Sequence, residues 1–129
     1  MPAKKIRVLI VDDEADFAET IVECLALRGF QARAVSGASD AMAVMTSGNW
    51  RPDVVVLDLK MPEVNGLETL RLIKQHDPAI QVIMATGHGS TSEGIEGMRN
   101  GLYDYLLKPV EVNDLARMIT EAVQQLHKP

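Results

Sequence analysis

The run from Val54 to Leu57 constrains the fold of this chain more than any other stretch, and it ends in Asp58. Four apolar residues, three of them β-branched, are typical of a strand covered on both faces, as in the middle of a parallel sheet. Ligands of open α/β sheets bind at the carboxyl ends of the strands. The Asp58 carboxylate is therefore expected where chemistry takes place, and an acid that merely ends the strand stays open as the alternative.

Four further runs of strand type alternate with stretches of helical spacing. The predicted strands are Ile6 to Val11, Phe30 to Val35, Ile80 to Ala85 and Tyr103 to Leu107. The second alternates apolar with polar residues, which is typical of an edge strand. Five strands alternating with five helices predict a (βα)5 order, with parallel strands, right-handed crossovers and helices on both faces of the sheet.

Helix patterns follow each strand. A stripe through Phe17, Ile21 and Leu25 predicts the first helix, and Gly29 supplies its stop. The fourth helix contains Gly94 and Gly97, which predicts a weak element. The last and longest helix has an apolar stripe made of Val112, Leu115, Ile119, Ala122 and Leu126.

Length and composition exclude several classes of protein. A chain of 129 residues is expected to form one domain, residues 1–129. With 13 Lys and Arg against 18 Asp and Glu, the net charge of −5 opposes direct nucleic-acid binding and attraction to an anionic membrane. One cysteine excludes an intramolecular disulfide, and no apolar run reaches the roughly 18 residues of a membrane span. The start of the chain lacks a signal-peptide pattern, so a cytoplasmic location is expected.

Polar residues stand where the predicted strands end. These are Asp12 and Asp13 after the first strand, Asp58 at the end of the third, Thr86 just past the fourth and Lys108 after the fifth. Taken singly, each has an ordinary alternative as a helix cap, a turn hydroxyl or a solvated charge. Because the carboxyl ends of parallel strands meet at one edge, their joint placement favours a site instead.

Three carboxylates about 4 Å apart repel one another by several kcal/mol per pair at an effective dielectric near 20. Lys108 cannot balance that repulsion alone, so a hard divalent cation is expected. Oxygen ligands suit Mg²⁺, with Mn²⁺ as a substitute, better than they suit Zn²⁺. If Asp58 attacks a phosphoryl group, Lys108 and the Thr86 hydroxyl can stabilise its oxygens, and the product is an acyl phosphate.

The sequence resembles the receiver domain of two-component response regulators, the CheY-like family, over nearly its whole length. The resemblance is carried by four motifs, namely Val11 to Glu14, Leu57 to Pro62 with Gly66, Ala85 to Gly87 and Tyr103 to Pro109. The run Thr86 to Gly89 is most similar to receivers of sigma-54-dependent activators. The resemblance implies a flavodoxin-like three-layer sandwich, with a five-stranded parallel sheet in the order 2-1-3-4-5.

The resemblance also implies roles for individual residues. Asp58 is the expected phosphoacceptor. The expected Mg²⁺ ligands are Asp13, Asp58 and the backbone carbonyl of Lys60, with Asp12 acting largely through a metal-bound water. Lys108 is expected to pair with the phosphoryl oxygens and to precede a cis peptide bond to Pro109.

The same resemblance implies a switch. Thr86 is expected to move toward the phosphoryl group while Tyr105 turns inward. The face of the fourth helix, fifth strand and fifth helix is thereby remodelled for a protein target or a homodimer. Lys60 and His88 occupy positions that in receivers influence the lifetime of the phosphorylated state. The expected donor is a sensor histidine kinase or a phosphotransfer protein.

Three other functions are alternatives to this one. A Mg²⁺-dependent phosphatase with an Asp nucleophile would need a second Asp two residues after Asp58, where this chain has Lys60. A flavodoxin would need hydroxyls and amides where this chain has Asp12, Asp13 and Glu14. A pseudo-receiver that only binds a partner stays open. The domain is expected to take part in its own phosphotransfer, and at most its own dephosphorylation, without turning over an external substrate.

Overall fold

Five parallel strands form one sheet in the order β2-β1-β3-β4-β5. The computed structural model describes residues 5–58, 66–87 and 96–126. The strands are β1 (Arg7–Val11), β2 (Gln31–Val35), β3 (Val54–Asp58), β4 (Gln81–Thr86) and β5 (Asp104–Leu107). The helices are α1 (Ala15–Leu27), α2 (Ala38–Thr46), α3 (Gly66–His76), α4, described over residues 96–99, and α5 (Val112–Leu126). The predicted fold class and strand order are confirmed.

The sheet is covered on both faces, and alternate residues of each strand enter opposite cores. One core places Leu9, Val55 and Met84 against residues of α2 and α3. The other places side chains of neighbouring strand positions, such as Ile10 and Val56, against α1 and α5. All five residues of β3 are buried, as its apolar run predicts. Each fully buried Val or Leu contributes roughly 1.5–3 kcal/mol relative to an exposed one.

The edge position predicted for the second strand is confirmed. Among the described strands, β2 pairs with β1 alone, in register from Arg7 opposite Gln31 to Val11 opposite Val35. The predicted stop of α1 is confirmed as well. Gly29 has φ of +91°, its N–H donates to Ala26 O, and the next N–H, that of Phe30, donates to Leu25 O. This is the Schellman arrangement that a left-handed glycine permits.

Two predicted details differ from the structure. Thr86 is the last residue of β4 rather than the first residue beyond it, because it pairs with Leu107 of β5. Leu126 is 42% exposed, although the apolar stripe of α5 predicts it to be buried. Gln81, the first residue of β4, donates from its side-chain amide to Ala122 O at 3.0 Å. The sheet therefore begins level with Ala122, and Leu126 lies one turn beyond it.

Candidate functional site

The carboxyl ends of β1 and β3 bring Asp12 and Asp58 together. Asp12 directly follows β1, and Asp58 is the last residue of β3, the strand that lies beside β1. Their side chains are buried, at 3% and 6% exposure of the whole residue. Two charged groups so far from water require compensating charge or hydrogen bonds.

Lys108, just past the end of β5, supplies part of that charge. Its Nζ lies 2.9 Å from Asp12 Oδ2 and 3.8 Å from Asp58 Oδ2. Its backbone N–H donates to Thr86 O at 2.7 Å, which fixes the start of the lysine side chain beside the end of β4. Residues from four strand ends thus meet at one edge of the sheet, as the sequence predicts.

Glu14 and Phe17 also contact Lys108, and neither was predicted from the sequence. Glu14 Oε1 lies 2.9 Å from Lys108 Nζ, and the ring centroid of Phe17 lies 4.5 Å from the same atom. Glu14 directly follows the predicted acidic pair, and Phe17 lies in the first turn of α1. The only sequence signal for them was this proximity, which is weak because charged and apolar residues are common in a first helical turn.

The surroundings of Lys108 determine its protonation. Partial burial by itself would lower the pKa of Lys108. Hydrogen bonds to Glu14 and Asp12, with attraction to the Asp12 and Asp58 charges, outweigh that effect and raise the pKa above its usual value. Lys108 therefore stays a cation throughout the physiological range and balances one of the clustered negative charges.

The carboxylates of Asp12, Glu14 and Asp58 have oxygen atoms within 4.8 Å of one another. Hard divalent cations prefer such a set of oxygen ligands. Asp13, predicted as a direct ligand, is exposed and does not belong to this group. Its role as a ligand stays a prediction. The group that the structure assembles contains Glu14 instead.

Asp12 uses its two oxygens for different purposes. Oδ1 accepts a hydrogen bond from the backbone N–H of Glu14 at 2.9 Å, and Oδ2 accepts from Lys108. The first bond holds the turn between β1 and α1, and the second joins that turn to the end of β5. Asp12 is thereby both a structural and an electrostatic part of the site.

Other predicted residues lie apart from the charged cluster or outside the described residues. Thr86 is buried at the end of β4, one position after Ala85, the register partner of Asp58. Tyr105, on β5, is exposed. The peptide bond between Lys108 and Pro109 is cis, as predicted. Lys60 and His88, with the roles predicted for them, fall outside the described residues.

A comparison with protein families agrees with this geometry. The family described as "Response regulator receiver domain" matches residues 8–120 of the chain. The chain belongs to this receiver-domain family. Receiver domains are signalling domains of two-component systems rather than turnover enzymes, and they bind Mg²⁺ at an acidic pocket. The resemblance stated for the sequence is confirmed.

Curated relatives include regulators much longer than this receiver domain. The chain is 30% identical over 118 residues to "Regulatory protein AtoC" of Escherichia coli, covering 92% of this chain and 25% of that protein. It is 32% identical over 123 residues to "Transcriptional regulatory protein ZraR" of Klebsiella oxytoca, covering 95% and 27%. The chain thus spans about a quarter of the length of these relatives.

Solved structures of receiver domains share the fold. A response regulator receiver domain from Clostridium thermocellum is 33% identical, with a TM-score of 0.87, and the match covers 93% of this chain and 95% of that one. A CheY-like receiver domain from Methanospirillum hungatei is 26% identical, with a TM-score of 0.89, and the match covers 96% and 98%. Among the described residues of this receiver domain, no helix has the length and apolar character needed to cross a bilayer.

Proposed function

We propose that this receiver domain accepts a phosphoryl group on Asp58 from a sensor histidine kinase or a phosphotransfer protein. The observation that carries the proposal is the position of Lys108, whose ammonium lies between the carboxylates of Asp12 and Asp58. A nucleophilic carboxylate needs nearby positive charge to receive a dianionic phosphoryl group. Lys108 supplies such charge 3.8 Å from Asp58 Oδ2, and the carboxylates of Asp12, Glu14 and Asp58 lie close enough together to hold a metal ion that would add more.

The acidic group fits Mg²⁺, and Mn²⁺ by the same chemistry. Asp12, Glu14 and Asp58 would hold the ion in the arrangement described above, and Asp13 and the Lys60 carbonyl stay predicted ligands from the family resemblance. A bound Mg²⁺ would supply positive charge for the phosphoryl oxygens. Lys108 adds a positive charge beside Asp12 and Asp58.

Phosphorylation is proposed to act through Thr86 and Tyr105. Thr86 follows the register partner of Asp58 on β4, and Met84, two residues earlier on the same face, pairs with Tyr105 on β5. A movement of Thr86 toward a phosphoryl group would change the packing beside Tyr105. The expected response is an inward turn of that ring, which is exposed in the unphosphorylated domain.

The surface around Tyr105 supports a partner site on α4, β5 and α5. Met98, Tyr105 and Leu107 are large apolar side chains with 49%, 37% and 53% exposure. Exposed apolar groups of this kind are typical of binding surfaces when they are clustered. We propose that a protein target or a second copy of the domain binds there. Because the relatives include "DNA-binding transcriptional regulator NtrC" and the motifs resemble sigma-54-dependent activators, control of transcription is the proposed output.

The test is incubation of the domain with acetyl phosphate and Mg²⁺, followed by intact-mass spectrometry. We expect wild type to gain one phosphoryl group and Asp58→Asn to gain none. Asp53→Asn is the matched control, because Asp53 stands just before the opposite end of the same strand. The proposal fails if wild type gains nothing, as a pseudo-receiver would, or if Asp58→Asn is labelled equally. Continuous hydrolysis of the donor without labelled protein would indicate a phosphatase instead.

A further inference from the structure

Lys108 is held by an exposed carboxylate as closely as by a buried one. Its Nζ lies 2.9 Å from both Glu14 Oε1 and Asp12 Oδ2, but 3.8 Å from Asp58 Oδ2. The side chain of Asp12 is 2% exposed, whereas that of Glu14 is 64% exposed. Since the Asp58 oxygen lies beyond hydrogen-bond distance, the ammonium is directed mainly toward the turn after β1.

The Glu14 side chain makes no cap for α1. Glu14 is the N-cap residue, yet its carboxylate accepts no hydrogen bond from the first turn of the helix. The helix begins through the backbone, since Glu14 O accepts from Ala18 N at 2.9 Å and Glu14 N donates to Asp12 Oδ1. A residue at this position is thus free to change its side-chain contact without undoing the local fold.

We propose that Glu14 is a positioning residue that tethers Lys108 in the unphosphorylated domain and so slows phosphoryl uptake by Asp58. The inference rests on the proposed function and adds a control of its rate. Glu14 and Asp12 each accept one of the three N–H groups of Lys108 and hold its ammonium 3.8 Å from Asp58 Oδ2, so the bond to Glu14 competes with a shift of the ammonium toward a phosphoryl group on Asp58. The bond to Glu14 is the one to be exchanged, because an exposed carboxylate is rehydrated at little cost, whereas a buried Asp12 without a partner is not.

Transfer of the phosphoryl group from acetyl phosphate to Asp58 requires no proton. An oxygen of the Asp58 carboxylate forms a bond to phosphorus, and the bond between phosphorus and the acyl oxygen of acetyl phosphate breaks. Acetate leaves with the electron pair, and Asp58 carries a dianionic acyl phosphate. The Lys108 ammonium pairs with the negatively charged phosphoryl oxygens during the transfer. The tether therefore opposes the charge stabilisation that this step requires.

Two substitutions separate the tether from the charge of Glu14. Glu14→Gln removes the charge and the ion pair. Glu14→Asp keeps the charge on a side chain one methylene shorter, and an Asp at an N-cap turns toward the helix N–H groups rather than toward Lys108. If the tether matters, both variants are phosphorylated faster than wild type. If only the charge matters, Glu14→Asp resembles wild type.

The experiment measures the rate of phosphorylation by acetyl phosphate at saturating Mg²⁺, after each variant has been titrated with the ion. We expect a two- to fivefold increase for Glu14→Gln and for Glu14→Asp, which corresponds to about 0.4–1 kcal/mol at 1.36 kcal/mol per tenfold. Glu23→Gln is the matched control, because Glu23 is an exposed acid on the same helix, and its rate is expected to equal that of wild type.

A second readout detects the tether before any chemistry. The ¹⁵N chemical shift of the Lys108 side chain is recorded in unphosphorylated, metal-free protein, and again with Mg²⁺ and beryllofluoride, which mimics a phosphoryl group on a carboxylate. Both Glu14 variants are expected to differ from wild type in the first state and to converge with it in the second. A purely structural role of Glu14 would not produce that convergence.

Each failure has its own signature. If wild type is not labelled at Asp58, the proposed function fails and the tether loses its role. If wild type is labelled but both Glu14 variants react at the wild-type rate or more slowly, only the tether is overturned. An increase confined to Glu14→Gln also overturns it, since the effect then belongs to charge. An unchanged Lys108 signal in unphosphorylated Glu14→Gln excludes the contact itself.

Discussion

The Asp58 carboxylate is stabilised by Lys108 and destabilised by its acidic neighbours. Oxygens of Asp12 and Glu14 lie within 4.8 Å of an Asp58 oxygen, and one ammonium serves all three groups. At an effective dielectric near 20, a pair of charges at such distances repels by roughly 3–4 kcal/mol. The clustered charges of the site therefore lower the stability of the metal-free domain, as functional sites commonly do.

We predict that Asp58→Asn raises the stability of the metal-free domain. Removal of one of three clustered charges should increase the free energy of unfolding by about 1 kcal/mol, or Tm by about 4 °C. The measurement is thermal unfolding in a buffer containing a chelator.

Asp53→Asn serves as the control, because Asp53 is not part of the acidic cluster. Its Oδ2 accepts from Arg7 N, and its carboxylate lies 3.7 Å from Arg51, so loss of this charge should not be stabilising. The advantage of Asp58→Asn should shrink when Mg²⁺ is added, since a ligand that binds wild type better stabilises it more. A lower Tm for Asp58→Asn in chelator would contradict the prediction.

The described end of α4 packs closely against Leu102, in the segment before β5, through Gly97. Leu102 N donates to Gly97 O and Gly101 N donates to Met98 O, with φ of +94° at Gly101. This is a second Schellman stop. A Cβ on Gly97 would lie 2.9 Å from Leu102 Cδ2. The sequence predicted only that Gly97 weakens its helix, but close packing against Leu102 explains why a glycine is present there. Gly94 lies outside the described residues.

We predict that Gly97→Ala lowers the free energy of unfolding by about 1 kcal/mol. Helix propensity alone would favour alanine by about 1 kcal/mol, but overpacking against a buried leucine costs about 1–3 kcal/mol. Chemical denaturation measures the difference. In a Leu102→Val background the same substitution should cost less, because the closest atom is gone. A gain in stability from Gly97→Ala alone would show that Leu102 moves freely.

A surface ion pair joins the segment before β3 to the end of α3. Arg51 Nε donates to Asp77 Oδ2 at 2.7 Å, and Asp77 Oδ1 accepts from Ala79 N at 3.0 Å. The hydrogen bond from Arg51 is the main cause that lowers the pKa of Asp77, against the opposing effect of partial burial. A lowered pKa in the folded state means that this carboxylate stabilises the fold above its unfolded pKa, near 4, and loses that effect as pH falls further.

We therefore predict a pH-dependent effect for Asp77→Asn. At pH 7 it should lower the free energy of unfolding by about 0.5 kcal/mol, within the range of exposed ion pairs. At an acid pH low enough to protonate the Asp77 carboxyl of folded wild type, the two proteins should be equally stable. Urea unfolding at both pH values measures this, with Arg51→Gln as the partner variant. An equal deficit at both pH values would mean that the charge of Asp77 does not contribute.

At the scale of the whole molecule, the two cores serve different parts of the site. The core that includes Ala18 and Leu115 packs α1 and α5 against the face whose strand ends carry Asp12 and Asp58. The other core packs α2 and α3 against the face that includes Met84, and by alternation Thr86. By this alternation the charged cluster and Thr86, the proposed switch residue, belong to opposite faces of one sheet, and they come together at its carboxyl edge, where β3 and β4 end.

Much of this arrangement follows from local sequence. Neighbouring residues determine hydrophobic periodicity and backbone conformation. The apolar run of β3, the helical stripes and the stop at Gly29 are features of this kind. The ends of the strands then place Asp12, Asp58 and Lys108 at one edge, because parallel strands share a direction. The fold class and the meeting of these three residues could therefore be predicted from the residues, whereas the strand order was implied by the family resemblance.

Only the tertiary structure decided which side chains contact one another at that edge. The bond between Lys108 and Glu14 joins residues 94 positions apart, and no periodicity encodes its rotamers. Burial likewise depends on neighbours from distant elements, so Asp13 is exposed although its sequence neighbour Asp12 is buried. Leu126 is exposed because it lies one turn beyond Ala122, which is level with the start of β4. Sequence specified the elements and the edge of the site, while packing among separate elements selected the partners of Lys108.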